Sequence, residues 1–286
     1  MTITAQAVKE LRERTGAGMM DCRRALEEAG GDLDEAAKVL RKKGLAAAAK
    51  KAGRTAKDGL VVVHTEPDGS RVAVLELNCE TDFVARTERF QAFAAALAAQ
   101  AAADGTGDAA ALLARPKAGD SEHTVAQALA GEIATIGENM LLSRVALLDA
   151  EPGFQLGSYV HMGGKIGVAV KISDNADEET VKDVAMHIAA AEPRFVSRED
   201  VPEAVLAEEL EVAKAQAEAT GKPPQVAEKI AQGKLGKFYE QACLIEQPFV
   251  KNPEQKVADM LKERGGVTVK SFVRFRLGEG VAAEGA

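Results

Sequence analysis

Residues 71–86 read Arg-Val-Ala-Val-Leu-Glu-Leu-Asn-Cys-Glu-Thr-Asp-Phe-Val-Ala-Arg. The aliphatic and β-branched run 71–78 has the character of a strand, and from Thr81 to about residue 103 the pattern turns helical, with Phe83, Phe90, Phe93 and Leu97 on related faces. Upstream, a second such run at 60–64 is separated from the first by Pro67-Asp68-Gly69-Ser70, in which Asp and Gly supply hairpin geometry. A turn this short excludes a parallel crossover, so the two strands are antiparallel. The same order recurs downstream: strand 159–162, a Gly163-Gly164 turn, strand 166–173 and a helix over 178–191. Strand, turn, strand, helix twice over predicts two related α+β halves with antiparallel sheets.

A helix over 124–137 and a strand over 140–149 complete the first half. The alternation of Val267, Val269, Ser271, Val273, Phe275 and Leu277 with polar neighbours gives the second half a last strand. Between them lies an insertion of about 194–243: Leu206, Leu210, Ala213 and Ala217 on one helix, a turn at Gly221-Lys222-Pro223-Pro224, and Val226, Ile230 and Phe238 on a returning helix. This is the pattern of an antiparallel helical hairpin. Residues 279–286 look like a short frayed tail.

Before the first half, residues 1–55 contain three short helical patterns. Thr4 is positioned to cap the first, Gly16 and Gly18 end it, and a second runs over 19–29 with Cys22, Ala25 and Leu26 at helical spacing. Asp32, with Glu35 three residues on, opens a third that is expected to stop at Gly44. The alanine- and lysine-rich stretch 45–57 reads as a linker with nascent helix. Residues 1–55 hold twelve basic and eight acidic side chains, so the bundle is positive and the rest of the chain strongly negative.

The chain of 286 residues carries a net charge of −8 with an isoelectric point near 5.3, which disfavours general binding to nucleic acid or anionic lipid. No run of about 18 apolar residues is free of charge, so no membrane span is expected. No cleavable leader is expected at the start either. Cys22, Cys79 and Cys243 are odd in number and unclustered, which speaks against a disulfide framework and a zinc site and fits a reducing cytoplasm. His64, His123, His161 and His187 are scattered, so no metal site is assigned.

Gly163-Gly164-Lys165 lacks the spacing of a phosphate loop and reads as a hairpin turn, and Gly105-Thr106-Gly107 does not meet the dinucleotide fingerprint. Lys270, Phe272, Arg274, Phe275 and Arg276 could stack single-stranded RNA, but a half-buried strand explains them as simply. A thiol enzyme centred on Cys79 would need a base that the sequence does not place beside it. There remains the polar corner at residues 76–86. By position alone Phe83 belongs in the core, because Phe90 repeats its helical face.

NCETDFVAR (78–86), together with LRERTGAGMMDCRRALEEAGGDLDEAAKVLRKKG (11–44), closely resembles the elongation factor Ts family. The likeness continues through IGENMLLSR (136–144), GSYVHMGGKIGV (157–168), DVAMHIAAAEPRFV (183–196), EQPFV (246–250) and FVRFRLGEG (272–280). It implies a ubiquitin-associated-like bundle over 1–55 with its linker, core subdomains over 56–150 and 151–278, and the hairpin inserted in the second. It implies a non-enzymatic, cytoplasmic guanine-nucleotide exchange factor for elongation factor Tu, in its nucleotide-free or GDP form, with no cofactor, no direct nucleic acid and no membrane. A homodimer or a 2:2 complex is left open.

In this family Thr81, Asp82, Phe83 and Val84 match the element associated with dislodging Mg²⁺ from the partner, which reverses the placement of Phe83. His161 and Met162 match the histidine-bearing loop that meets another part of the partner, and Arg12, Met19 and Met20 lie on the matching amino-terminal motif as docking residues. Residues 281–286 leave little of the carboxy-terminal helix that some members carry. A binding adaptor, using the bundle and the hairpin as docking surfaces, is the rival from another class.

Overall fold

The computed structural model describes residues 3–219 and 224–281. It opens with helices α1 (Ala5–Thr15), α2 (Met19–Glu28) and α3 (Leu33–Lys51). Thr4 accepts the Ala7 N–H at the head of α1, and Asp32 accepts the Asp34 and Glu35 N–H groups at the head of α3, so both caps stand where the sequence puts them. The three helices close around Val8, Leu11, Cys22, Ala25, Leu26 and Ala36.

The first half follows as β1 (Asp58–Thr65), β2 (Arg71–Cys79), α4 (Asp82–Ala85), α5 (Glu88–Asp104), α6 (Ala109–Ala114), β3 (Pro116–Lys117), β4 (Asp120–Thr124), α7 (Val125–Ile136) and β5 (Met140–Asp149). The second half is β6 (Phe154–His161), β7 (Ile166–Ser173), α8 (Glu178–Ala191), α9 (Glu203–Glu218), α10 (Pro224–Ala242), β8 (Pro248–Phe249), β9 (Asn252–Lys256), α11 (Val257–Glu263) and β10 (Val269–Arg276). Each half builds one antiparallel three-stranded sheet with the second strand of its hairpin in the centre: β1-β2-β5 and β6-β7-β10. The fold is α+β, as the recurring order requires.

The repeat goes deeper than the sequence pattern shows. In each half a two-stranded ribbon feeds a helix, with Pro116 opposite Thr124 and Pro248 opposite Lys256. The helix beneath each ribbon reaches into it with one side chain. Gln100 Oε1 accepts the Ala118 N–H at 2.9 Å, and His187 Nδ1 accepts the Val250 N–H at 3.2 Å.

One face of each sheet packs on helices. Leu75, Leu77, Phe90, Leu97, Leu129 and Ile133 share the first core, and Val168, Val170, Ile188, Leu244 and Met260 the second. The opposite faces meet through Val61, Val72, Val74 and Ala169. Gly167 is required at that seam, since a Cβ there would lie 2.5 Å from Val61 Cγ1 and 3.0 Å from Val63 Cγ2.

Three expectations are corrected. Helix α3 does not stop at Gly44 and absorbs much of the supposed linker, because it packs on α7 there: Gly44 is buried, and even a Cβ would find ordinary contact, 3.6 Å from that of Ala134 and 3.7 Å from the Ala130 carbonyl. Lys51 Nζ ties the end of α3 to the Ile133 carbonyl at 3.1 Å. The helix expected from Thr81 to about residue 103 is cut in two, since the Thr87 hydroxyl donates to the Val84 carbonyl and accepts the Phe90 N–H. The tail is not frayed over Glu279–Val281, which form a 3-10 turn with the Glu279 carboxylate on Arg274 and Arg144. Helices α9 and α10 form the expected hairpin around Ala213, Ala217 and Ala231, and the turn expected at 221–224 falls mostly on residues 220–223, outside the described residues.

Candidate functional site

The corner after β2 is built from the backbone outward. Beyond Cys79 the chain leaves the sheet, and the exposed amides would go unpaired without a local acceptor. Glu138, on the segment between α7 and β5, supplies it: Oε2 accepts the Glu80 N–H at 3.1 Å and the Thr81 N–H at 3.0 Å, and Oε1 accepts the Thr81 hydroxyl at 2.7 Å. Glu80 returns the contact, accepting the Asn139 N–H at 2.6 Å, with Arg54 at 3.4 Å. The Thr81 hydroxyl oxygen also caps α4, accepting from Val84 N–H at 3.4 Å.

With the corner pinned from behind, α4 turns Ala85 inward, keeps Val84 half-buried and projects Phe83, whose surface is 80% exposed. Placement of Phe83 in the core, the inference from helical spacing, is therefore overturned: the break at Thr87 removes the continuous helix on which Phe83 and Phe90 would share a face. Asp82 pairs with Arg86 at 2.8 Å, one turn on.

A second exposed apolar group stands on the turn between β6 and β7. Met162 holds a left-handed backbone, φ 50°, with 72% of its surface exposed, a conformation that costs a non-glycine residue roughly 1–2 kcal/mol. The half-buried His161 ring is fixed by the Tyr159 hydroxyl, 3.0 Å from Nδ1. The Gly164 carbonyl accepts the Val61 N–H at 2.7 Å, and Lys165 reaches Asp58 at 3.2 Å. Asp58 is the register partner of Cys79, so this turn is fastened to the strand end from which the corner springs. Lys165 is thereby engaged by a carboxylate, and His161 pairs with Ile166 across the turn, which is the hairpin that its spacing predicts.

The amino-terminal candidates lie on the bundle. Met19 and Met20 open α2 and are exposed, as is Arg12 on α1. Arg89, in the first turn of α5, forms a bidentate pair with Glu132 at 2.6 and 3.1 Å and donates to the Gly16 carbonyl at 3.3 Å. That contact sets the start of α2 beside the helix that follows Phe83. Sequence reasoning missed Glu138, Arg89 and Asp58. All three act across long chain separations, and the only local signal was a Glu-Asn pair between a helix-ending glycine and a strand.

Other candidates are absorbed by the fold. Cys79 is fully buried, its Sγ 3.1 Å from the Thr81 carbonyl, and burial together with nearby Glu138 pushes its thiol up to about 12, which removes the thiolate a nucleophile needs. Arg274 is nine-tenths buried on Glu192 and Glu279, and Phe275 lies under the Arg144 guanidinium at 4.2 Å, so the last strand offers no stacking platform at these positions. Among the described residues no cluster of metal-ligating side chains occurs, and no helix is long and apolar enough to cross a membrane.

Compared with known families, the chain is matched by the family model for Elongation factor TS over residues 80–279, a span that starts in the corner and ends in the last 3-10 turn.

Proposed function

Because the chain belongs to the elongation factor Ts family, whose members exchange nucleotide on elongation factor Tu, we propose that it releases GDP by driving the Thr81–Val84 corner against the partner's Mg²⁺ and phosphate site. The observation that carries this reading is Phe83, a large ring held outward on a pinned corner where its own chain gives it little cover. Burying that ring between helices of the partner contributes about 1.5–3 kcal/mol, enough to offset part of the cost of distorting a metal and phosphate site.

Met19, Met20 and Arg12 on the bundle dock a neighbouring region of the partner, while His161 and Met162 hold a second part of it. Thr81 and Val84 set the depth of the ring, and Asp82, oriented by Arg86, is the charged group of the corner. Nucleotide and Mg²⁺ belong to the partner, and this chain acts in the cytoplasm without covalent chemistry. Exchange is then a linkage effect: whatever factor favours the nucleotide-free partner weakens GDP by the same factor. The wedge must remain moderate, because a contact too strong for GTP to reverse would trap the complex.

The test is release of a fluorescent GDP analogue from elongation factor Tu, followed in rapid mixing with excess unlabelled GDP. The expected result is acceleration that rises with the concentration of this protein and then saturates. Release at the spontaneous rate would refute the reading.

A further inference from the structure

The bonds from Glu138 to the corner are all long-range in the chain, and each ends on Glu80 or Thr81, the two residues between the end of β2 and the start of α4. One carboxylate thus takes two backbone donors and a hydroxyl, and hydrogen bonds to an ionised acceptor are stronger than those to a neutral one. At the corresponding corner after β7 the long-range ties are neutral: the Ser173 hydroxyl accepts the Thr268 N–H and the Asn175 amide donates to the Gly265 carbonyl, both at 2.9 Å, while the Asp177 carboxylate there serves its own helix, accepting the Thr180 N–H at 2.8 Å. That corner carries no exposed aromatic residue. The two halves share a topology, so the carboxylate lock appears where an apolar ring has to be held out in water, a pose the hydrophobic effect itself opposes.

We propose that Glu138 is a positioning residue for nucleotide exchange, acting through Thr81 to hold Phe83 in its outward pose before the partner arrives. This rests on the wedge reading above. A loose corner would have to be ordered during docking, and the free energy of ordering would be subtracted from that available to displace GDP. Glu80, bonded to Asn139 and Arg54, closes the lock from the other side.

The test is a double-mutant cycle on release of the fluorescent GDP analogue, with the full chain and elongation factor Tu. Glu138→Ala strands two backbone donors and is expected to slow release about tenfold. In a Phe83→Ala background the same substitution is expected to slow it less than about twofold, because the ring it positions is gone. Glu138→Gln keeps an acceptor for the two amides and is expected to stay within about threefold of the parent.

Equal slowing by Glu138→Ala with and without Phe83 would overturn the proposal, since it would mark a general loss of structure. A glutamine variant as slow as the alanine variant would overturn it too, since an acceptor that still reaches both amides would then not hold the corner. Should the alanine variant fail to fold, the cycle is run with Glu138→Asp, one methylene too short to reach both amides. If Phe83→Ala alone leaves release unchanged, the wedge reading itself fails. If Phe83→Ala slows release and Glu138→Ala does not, only the role of Glu138 fails.

Discussion

Replacing Phe83 with alanine tests the wedge most directly, because structure and function make opposite demands on that side chain. With 80% of its surface in water, Phe83 gives its own fold little burial to lose. An exposed substitution of this kind changes stability by no more than about 0.5 kcal/mol, so the melting temperature should stay within about 2 °C of the parent. On the wedge reading the same ring goes from mostly exposed to buried in the partner complex, worth about 2 kcal/mol relative to alanine. If that contact forms in the transition state for GDP release, its loss slows the saturated release step by about 30-fold, at tenfold per ~1.4 kcal/mol. Phe83→Leu, which keeps most of the apolar area, should lose only a few-fold. The assay is rapid-mixing release of a fluorescent GDP analogue from elongation factor Tu, with calorimetric melting of each variant as the control. Release by Phe83→Ala within about twofold of the parent refutes the wedge. A drop in melting temperature beyond about 5 °C refutes the premise that the ring makes few contacts at home.

Three further outcomes follow from the packing. Burial holds the His187 pKa below its ordinary 6.5, and the neutral ring accepts the Val250 N–H while facing Gln247 Oε1 at 2.9 Å; its contribution to stability is therefore complete above about pH 6.5 and lost as the pH falls through the lower folded value. The melting temperature should drop between pH 7 and pH 5, and His187→Gln, the residue type that stands at the matching place in the first half, should flatten that slope; parallel curves for parent and variant would contradict it. Gly167→Ala should destabilise by about 1–3 kcal/mol in denaturant titration, since the new methyl meets Val61 and Val63 across the sheet seam, and an unchanged midpoint would show that the sheets can part. The Cys79 thiol, buried and pushed up to about 12, should resist a disulfide reagent at pH 8 until the protein unfolds, and labelling of the native chain within minutes would contradict that environment.

The sequence discloses what depends on local order and hides what depends on distant partners. Strand 140–149 and strand 166–173 emerge with their ends in place, because alternation and flanking turns are local signals. The ribbons β3-β4 and β8-β9 leave no such trace, since two to five residues cannot establish a period. Gly44 reads as a helix stop because glycine costs a helix about 1 kcal/mol; only the presence of α7 against it explains why the helix runs on. Phe83 is the sharpest case. Spacing alone sends it into the core, and the residue that cuts the helix, Thr87, does so through a hydroxyl that serves both Val84 and Phe90, a geometry that spacing does not encode. The outward placement is implied instead by the family resemblance of residues 78–86.

The exposed apolar groups proposed to meet the partner, Met19 and Met20, Phe83 and Met162, stand on three separate elements, and each element is fastened to the core by polar bonds. Arg89 fastens the start of α2 through Gly16, Glu138 fastens the corner through Thr81, and the Lys165–Asp58 pair fastens the Met162 turn to the end of the first sheet. Apolar side chains left in water cannot position themselves, so the fold must hold them with donors and acceptors that are satisfied without them. A division of this kind also suits an exchange factor. Affinity spread over several modest contacts can be withdrawn stepwise as GTP enters, whereas the same free energy in one deep contact would be released only all at once. It follows that weakening a fastening bond should disturb the coupling between docking and GDP release before it disturbs docking itself. Full binding with lost exchange is the signature to look for in Glu138 variants, and equal loss of both would mean that the corner also carries the affinity.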